Sequence, residues 1–497
     1  MDITPNRQQY SLLLPRSRQA DDTIGGMSLQ QLPFFIPGQF KLNKAWFRIE
    51  HWRFYLTLAI LALYLLLDYA FMQVRFPLHG RISLPIGEIL ILLWITTLNF
   101  RSVCCKIRPK SLFWVLIAYF SYGVIRALVG FTEYGAYALR DATSIFEQFF
   151  ILVGFCMVCK VERYKTLGKW LPLILTLGVV IGLSYPFKAH FVGLSPTIQT
   201  ASGYDVPFFF TYAYTFVMML MYLIYILLFK PYHRIRWVLL LAGLLIFLVA
   251  NFQIRTIYVQ LIALILFLSL FNRHIFKYAL VIGFIGVAAL GLIELSGFEI
   301  QGRFQSFSLT FFIKHFMSIF GIQAEGVEGA TGGILLRLSW WQAIWSQLTS
   351  SVTTFLFGLG YGVPLTDFIY TTGVLVREPH NSYVSVLARL GVTGVVFYLA
   401  LHIQLIAMWF KALKLAHIKH WATGKKSLFM MMAFLIVVYI YGMTEDAFEK
   451  PYVSIPFYTV WGIILRMYVH LLRDRLPGAL DNPQEETANV AVSPPTR

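Results

Sequence analysis

The sequence predicts an all-α protein, a polytopic bundle of transmembrane helices. Of its 497 residues, 58% are hydrophobic and 13% are charged, against roughly 25% charged residues in an ordinary soluble domain. The apolar residues also form runs of spanning length, and a helix needs about 20 residues to cross the hydrocarbon core. These two observations exclude a water-soluble globular chain.

The apolar runs predict about twelve spans. They lie at about 54–75, 83–99, 111–131, 143–159, 170–186, 207–229, 236–250, 256–272, 277–295, 383–410, 427–443 and 452–472. The resulting divisions are a polar, disordered N-terminal tail (1–50), nine spans (51–295), one large loop with short helices (296–382), three spans (383–473) and a C-terminal tail (474–497). The tail lacks the pattern of a cleaved signal peptide, so the first span is its own insertion signal.

The distribution of Lys and Arg predicts the orientation. If the N-terminus is cytoplasmic, the short loops on that side hold 18 of these residues and the short loops on the other side hold six. The positive-inside rule then places both termini in the cytoplasm and the loop 296–382 outside it. In a membrane protein the net charge of +17 indicates contact with anionic membrane lipid, and no nucleic-acid partner is expected.

Two features stand out in the large loop. Ile334, Leu338, Trp341, Trp345 and Leu348 recur at helical spacing and predict one apolar helix face. Such a helix fits the headgroup layer, or packs on the outer ends of the spans, with its arginine solvated. The following GLGYG stretch (358–362) predicts a flexible loop whose backbone approaches a ligand closely.

The strongest local cluster is the run from Arg377 to Ser382, immediately before an apolar helix. Pro379 disfavours helix in the residue before it, and Asn381 or Ser382 can cap the helix that follows. His380 is therefore expected at a helix N-terminus, where the dipole favours a neutral imidazole and a nearby anion. A proton acceptor and a phosphate site can share such a helix end.

Metal chemistry has no clear signature in this chain. Only His79, His190, His315 and His380 fall on the outer side, and no pair of them has metal-ligand spacing. The four cysteines are too few for a disulfide scaffold. We expect no metal and no other cofactor.

The stretch HNSYVSVLARLGVTG, from His380 to Gly394, resembles a motif of the bacterial O-antigen ligase family: His, then Asn, Ser or Gln, nine residues, Gly, two residues, and Gly, Thr or Tyr. His380, Asn381, Gly391 and Gly394 fill its fixed places. The run RLSWWQA from Arg337, followed by GLGYG, is similar to the segment that precedes this histidine in the family.

The resemblance implies a GT-C-like glycosyltransferase in the bacterial inner membrane, inverting and independent of metal. Its donor is a glycan on undecaprenyl pyrophosphate, and its acceptor is a hydroxyl on the periplasmic face. By the same resemblance His380 corresponds to the family's proposed base. Arg337, Arg255 and Asp446 correspond to two arginines and a late acidic residue of the family.

Arginines can stabilise the charge that develops on a departing pyrophosphate. The outer arginines Arg140, Arg255, Arg337 and Arg377 are therefore assigned to the donor pyrophosphate. The alternative for each is snorkelling to lipid headgroups. Arg389, seven residues beyond Ser382 and so about 10 Å along a helix, supports the site or snorkels.

Three functions remain open at this level. A polymerase of a surface polysaccharide or exopolysaccharide would use a second lipid-linked glycan as acceptor, with a chain-length regulator as partner, and the long polar N-terminal tail favours this function. An O-antigen ligase would use lipid A core as acceptor. A polysaccharide transporter or flippase would use the same residues to line a path, but the sequence shows no internal repeat of the kind that many transporters have.

Overall fold

A computed structural model describes residues 37–473, except 80–81, 98–102, 104–105, 201–204, 232, 298–299, 304–305, 323–327 and 370–374. The chain divides at Trp52 into two units, and every contact discussed below lies in the second unit. Residues 37–50, predicted as part of the N-terminal tail, belong to a helix. Residues 1–36 and the predicted C-terminal tail 474–497 lie outside the described residues.

Helices make up most of the described chain. The α-helices are α1 (Pro37–Met72), α2 (Ile86–Thr97), α3 (Lys110–Tyr134), α4 (Ala136–Asp141), α5 (Thr143–Phe146), α6 (Phe150–Met157), α7 (Glu162–Leu183), α8 (Lys188–Leu194), α9 (Thr215–Phe229), α10 (Ile235–Phe247), α11 (Arg255–Phe271), α12 (Arg273–Leu295), α13 (Leu309–Met317), α14 (Glu328–Leu348), α15 (Val352–Phe357), α16 (Ser382–Ile418), α17 (Ala422–Tyr441) and α18 (Pro451–Leu472). Single turns of 3₁₀ or π helix lie at Glu147–Phe149, Tyr185–Phe187, Leu248–Phe252, Ser318–Phe320 and Ala447–Glu449.

The described strands form three small antiparallel hairpins. They pair β1 (Arg75–His79) with β2 (Ile82–Pro85), β3 (Thr197–Gln199) with β4 (Asp205–Pro207), and β5 (Ile300–Gln301) with β6 (Ser306–Phe307). In register, Arg75 faces Pro85, Thr197 faces Pro207 and Ile300 faces Phe307. The predicted all-α class is therefore confirmed.

Eight helices in the described part of the chain are long and apolar enough to cross a membrane. They are His51–Met72, Lys110–Tyr134, Glu162–Leu183, Ile235–Phe252, Arg273–Leu295, Ser382–Ile418, Ala422–Tyr441 and Pro451–Leu472. Each coincides with a predicted span. The protein is thus a helical membrane protein.

The other four predicted spans are helical but shorter. α2 has 12 residues because the hairpin β1–β2 takes the preceding segment. The predicted span 143–159 is divided by the turn Glu147–Phe149 into α5 and α6. α9 and α11 reach 15 and 17 residues. The span count of twelve therefore stays a prediction.

The C-terminal helices form the centre of the bundle. α18 packs against α6, α16 and α17. In its most apolar stretch of 18 residues 83% are buried, whereas in the corresponding stretch of α12 17% are buried. α16 also packs against α3, while α14 and α15 from the predicted large loop pack on α16. α16 therefore packs against five helices, since α17 also contacts it, and the candidate site lies at its N-terminal end.

Candidate functional site

The segment 377–381, which we name the strap, leads into α16. Asn381 caps this helix: its Oδ1 accepts hydrogen bonds from the backbone N–H of Tyr383 (3.0 Å) and of Val384 (3.1 Å). The predicted cap is confirmed. His380 has φ of 50°, a left-handed conformation that costs a non-glycine residue about 1 kcal/mol or more. The strap thus holds His380 at the mouth of α16 in a strained backbone conformation.

Hydrogen bonds join the last residue of the strap and the first residue of α16 to the turn between α17 and α18. The Ser382 N–H donates to the carbonyl of Gly442 (2.8 Å), and the Asn381 side-chain amide donates to the carbonyl of Met443 (3.1 Å). The Ser382 hydroxyl donates to the carbonyl of Glu445 (3.1 Å) and accepts from the N–H of Phe448 (3.2 Å). These bonds place the acidic residues of the turn beside the strap.

His380 lies between two carboxylates of that turn. Its Nδ1 is 3.2 Å from Asp446 Oδ2 and 3.5 Å from Glu445 Oε2. Burial alone would lower the pKa of His380, but the two carboxylates outweigh burial and raise it to about 9. The expectation of an imidazole kept neutral by the helix dipole is therefore wrong, because two full negative charges outweigh the dipole. At neutral pH the ring is mostly imidazolium.

Arg337 reaches the same turn from α14. Its Nη2 lies 3.7 Å from Glu445 Oε1, and Lys450 Nζ lies 2.9 Å from Glu445 Oε2. Burial would raise the pKa of Glu445, but Lys450 and His380 outweigh burial and hold that pKa far below its usual range. Glu445 is therefore a permanent negative charge that links His380 to Arg337.

The buried face of α14 differs from the predicted one. Trp340, Ile344 and Leu348 are buried, whereas Leu338 and Trp345 are about half exposed. The Trp340 ring lies 5.9 Å from the His380 ring, and Trp341 Nε1 donates to the carbonyl of Pro379 (3.0 Å). The observed face of α14 turns inward because the carbonyl of Pro379 and the ring of His380, both in the strap, pack against it. The sequence repeat alone could not show that partner.

Arg255 begins α11 and lies near Arg337, close enough for their charges to repel each other. Its Nη1 is buried and has no hydrogen-bond partner within the described part of the chain. A buried guanidinium nitrogen without an acceptor is costly, and a like charge nearby adds to that cost. The pair therefore forms an electropositive place suited to an anion.

The sequence reasoning counted His315 of α13 among the outer histidines but gave it no role. Its Nδ1 lies 3.2 Å from the Tyr258 hydroxyl, and its ring stacks on Phe311. Burial and the charge of Arg255 lower the pKa of His315 to about 4, so this second histidine is neutral beside the arginine. The position of His315 in the sequence could not indicate this environment, because Tyr258 and Arg255 both lie in a different helix, α11.

The remaining predicted arginines converge on Glu378 of the strap and on Asp141, which the sequence reasoning did not single out. Arg377 Nη2 and Arg389 Nη2 each lie 3.1 Å from Asp141 Oδ2, and Arg389 Nη2 lies 3.2 Å from Glu378 Oε1. Arg140 Nε lies 3.3 Å from Asp141 Oδ1. The Arg389 side chain is 2% exposed and Asp141 is fully enclosed. This internal ion-pair network holds the strap against α4, and it separates these three arginines from the Arg255–Arg337 pair.

The glycines of the two sequence motifs meet each other. α16 is interrupted at Gly391, with φ of 64°, and Gly358 has φ of 77°. A Cβ at Gly358 would lie 2.5 Å from Gly391 N, and one at Gly391 would lie 2.5 Å from the carbonyl oxygen of Leu356. The N–H of Leu359 donates to the carbonyl of Ala388 (2.7 Å). The GLGYG segment therefore packs on backbone at the helix break, where the sequence predicted a flexible loop approaching a ligand.

The site also contains metal-ligand atom types. One ligand atom from each of His380, Glu445 and Asp446 lies within 4.8 Å of the others. Lys450 and Arg337 already pair with Glu445, one of the three possible ligands. Charge balance in this cluster is reached with the chain's own cations. The expected independence from metal stays a prediction.

Neither a scan of the sequence against models of known protein families nor a search of curated proteins finds a match. The resemblance to the O-antigen ligase family therefore depends on the two short motifs. What the structure adds is that Arg337 and His380 both lie beside Glu445, and that Gly358 of the first motif meets Gly391 of the second.

Proposed function

We propose that the protein is a glycosyltransferase that moves a glycan from undecaprenyl pyrophosphate to an acceptor hydroxyl. One observation carries the proposal: Glu445 links a histidine–carboxylate pair, His380 and Asp446, to the guanidinium pair of Arg337 and Arg255. A proton acceptor thus lies beside a place suited to a pyrophosphate. These are the two groups that direct displacement of a glycosyl pyrophosphate requires.

The proposed reaction is a single displacement. The acceptor oxygen attacks the anomeric carbon while the bond from that carbon to the pyrophosphate oxygen breaks, so the configuration inverts. Arg255 and Arg337 stabilise the charge that develops on the leaving pyrophosphate. The proton of the acceptor hydroxyl passes to His380, whose Nδ1 side faces Asp446 and Glu445 and leaves Nε2 to receive it. No metal or other cofactor takes part in this scheme.

Protonation of His380 limits this reaction at neutral pH. With a pKa of about 9, about one ring in a hundred is neutral at pH 7. Asp446 and Glu445 make the neutral ring a stronger base. They also keep the ring protonated in the resting state, in which it cannot accept a proton. The rate of transfer should therefore rise about tenfold from pH 7 to pH 8.

The proposed location is the periplasmic face of a bacterial inner membrane, with both termini cytoplasmic. The positive-inside rule puts the predicted loop 296–382 and the turn after α17 on the same outer side. The hydrogen bonds between the strap and that turn agree with this arrangement, because they require both segments at one end of the bundle.

Polymerisation of a surface polysaccharide is the version of this function that we favour, since a long polar N-terminal tail suits the exopolysaccharide polymerases that the motifs resemble. Its partners would be a second undecaprenyl-linked glycan as acceptor and a chain-length regulator. Ligation to lipid A core would use the same donor and the same displacement.

Purified protein in detergent tests the proposal against a transporter. The wild-type chain, given a lipid-linked glycan, should extend or transfer that glycan and release undecaprenyl pyrophosphate. His380→Ala should abolish transfer, whereas His190→Ala, at an exposed histidine predicted on the same side, should not. A flippase would leave the glycan unchanged in detergent and move it only across a sealed membrane.

A further inference from the structure

An exposed aromatic ring lies between two arginines of the ion-pair network. Tyr137, on the short helix α4, is 54% exposed. The guanidinium carbon of Arg377 is 4.6 Å from the ring centroid, and that of Arg140 is 6.0 Å away. Both arginines are fixed by Asp141, at 3.1 Å and 3.3 Å. The ring is therefore held in place on a polar surface.

Polar groups extend from this ring toward His380. Arg140 Nη2 lies 4.0 Å from Glu378 Oε1, and both side chains keep part of their surface exposed, 50% and 16%. Glu378 interacts with the charge of Asp446, which lies 3.2 Å from His380 Nδ1. These groups form a row from Tyr137 through Arg140 to Glu378, and Glu378 is near enough to Asp446, beside the proposed base, for their charges to interact.

This row reaches His380 through a different carboxylate from the one that serves the donor. Asp446 leads to Glu378 and Arg140, whereas Glu445 leads to Arg337. An inverting displacement needs the acceptor oxygen and the leaving pyrophosphate on opposite sides of the reacting carbon. The side chains around Tyr137 are different from the Arg337–Arg255 pair, so the two substrates can be held by separate groups.

We propose that Tyr137, with Arg140 and Glu378, forms a sugar subsite that holds the acceptor glycan. The inference rests on the proposed function. The C–H face of a pyranose ring packs on an aromatic ring, while its hydroxyls donate to a carboxylate and accept from a guanidinium. Tyr137, Glu378 and Arg140 supply these three chemistries within one small surface.

Anchoring in the lipid headgroup layer is the competing role for an exposed tyrosine. Two observations favour the sugar. The ring of Tyr137 faces guanidinium groups that are already paired with the enclosed carboxylate of Asp141, and Arg140 places the partly exposed carboxylate of Glu378 within 4.0 Å of the same cluster.

The test uses the full-length protein in nanodiscs and three variants. Tyr137→Ala removes the ring, Tyr137→Phe keeps it, and Phe187→Ala is a control at another exposed aromatic, 67% exposed. The measured quantities are the KM for the acceptor, kcat and donor affinity. Tyr137→Ala should raise the acceptor KM about tenfold, the size of one lost stacking contact, with kcat and donor affinity little changed. Tyr137→Phe should restore the KM.

A binding measurement without donor separates this inference from the proposed function. The probe is the repeat-unit oligosaccharide released by mild acid from the cells' own lipid-linked glycan, and its contact with the protein is followed by saturation-transfer NMR. Binding that Tyr137→Ala weakens, in a protein without transferase activity, would keep the subsite and reject the glycosyltransferase.

Transfer with an unchanged acceptor KM in Tyr137→Ala would reject the subsite and keep the glycosyltransferase. The inference would also fail if Tyr137→Ala altered only the association of the protein with vesicles of phosphatidylethanolamine and phosphatidylglycerol. That result would identify Tyr137 as a headgroup anchor.

Discussion

Replacement of Asp446 by Asn should lower the pKa of His380 by about one unit or more. Asp446 is the nearer of the two carboxylates, 3.2 Å from Nδ1 against 3.5 Å for Glu445, and its side chain is 6% exposed. The pKa of about 9, against an ordinary 6.5, corresponds to about 3 kcal/mol of preference for the imidazolium. Asn keeps the shape of Asp but removes the charge, so a large share of that preference is lost.

Two measurements follow this shift. An NMR titration of labelled histidines, with the His380→Gln spectrum subtracted to identify the signal, reports the pKa directly. The pH profile of glycan transfer reports the same group, because the low-pH limb of the profile should move toward lower pH in Asp446→Asn. An unchanged histidine titration in this variant would refute the reasoning that the carboxylates set the charge of His380.

Further predictions concern stability and the anion site. The raised pKa of His380 stabilises the fold below pH 6.5, and this stabilisation is lost as the pH rises to about 9, so the melting temperature should fall over that interval more in wild type than in His380→Gln. Gly391→Ala should lower the free energy of unfolding by about 3 kcal/mol or more through strain and collision, whereas Gly243→Ala, which meets open space, should not. Arg389→Met should destabilise by about 3 kcal/mol, measured by thermal unfolding in detergent, because Glu378 loses its partner at 3.2 Å and the enclosed Asp141 loses one of its three cations. Arg337→Lys should remain clearly impaired in donor binding, since the lysine ammonium lacks the planar fork of donors that a guanidinium presents. Wild-type affinity in this variant would show that Arg337 attracts the donor by its charge alone.

The sequence was sufficient for the fold class and for most helix positions. Long apolar runs report the membrane environment directly, so all eight long helices coincide with predicted spans. The Asn381 cap was also predictable, because a cap depends on its own residue and the next three. The starts of α2 and α9 were not, since the strand β2 and the segment before Thr215 are mostly apolar and yet not helical.

The charge state of the site could not be predicted from local sequence. His380 looked like a histidine at a helix end, and the carboxylates that control it come from a turn more than 60 positions later. For the same reason, Arg377 and Arg389 looked like free cations, although Asp141 lies against both in the structure. Long-range ion pairs leave no periodic pattern, so only the fold reveals them.

Donor binding and transfer, measured separately in two variants, test the central division between base and anion site most directly. His380→Ala should retain affinity for the undecaprenyl pyrophosphate-linked glycan and lose single-turnover transfer. Arg337→Ala should lose donor affinity, and the double variant should show less than the sum of the two effects, because both groups contact Glu445. Loss of donor affinity in His380→Ala as severe as in Arg337→Ala would contradict the assignment of His380 as the base.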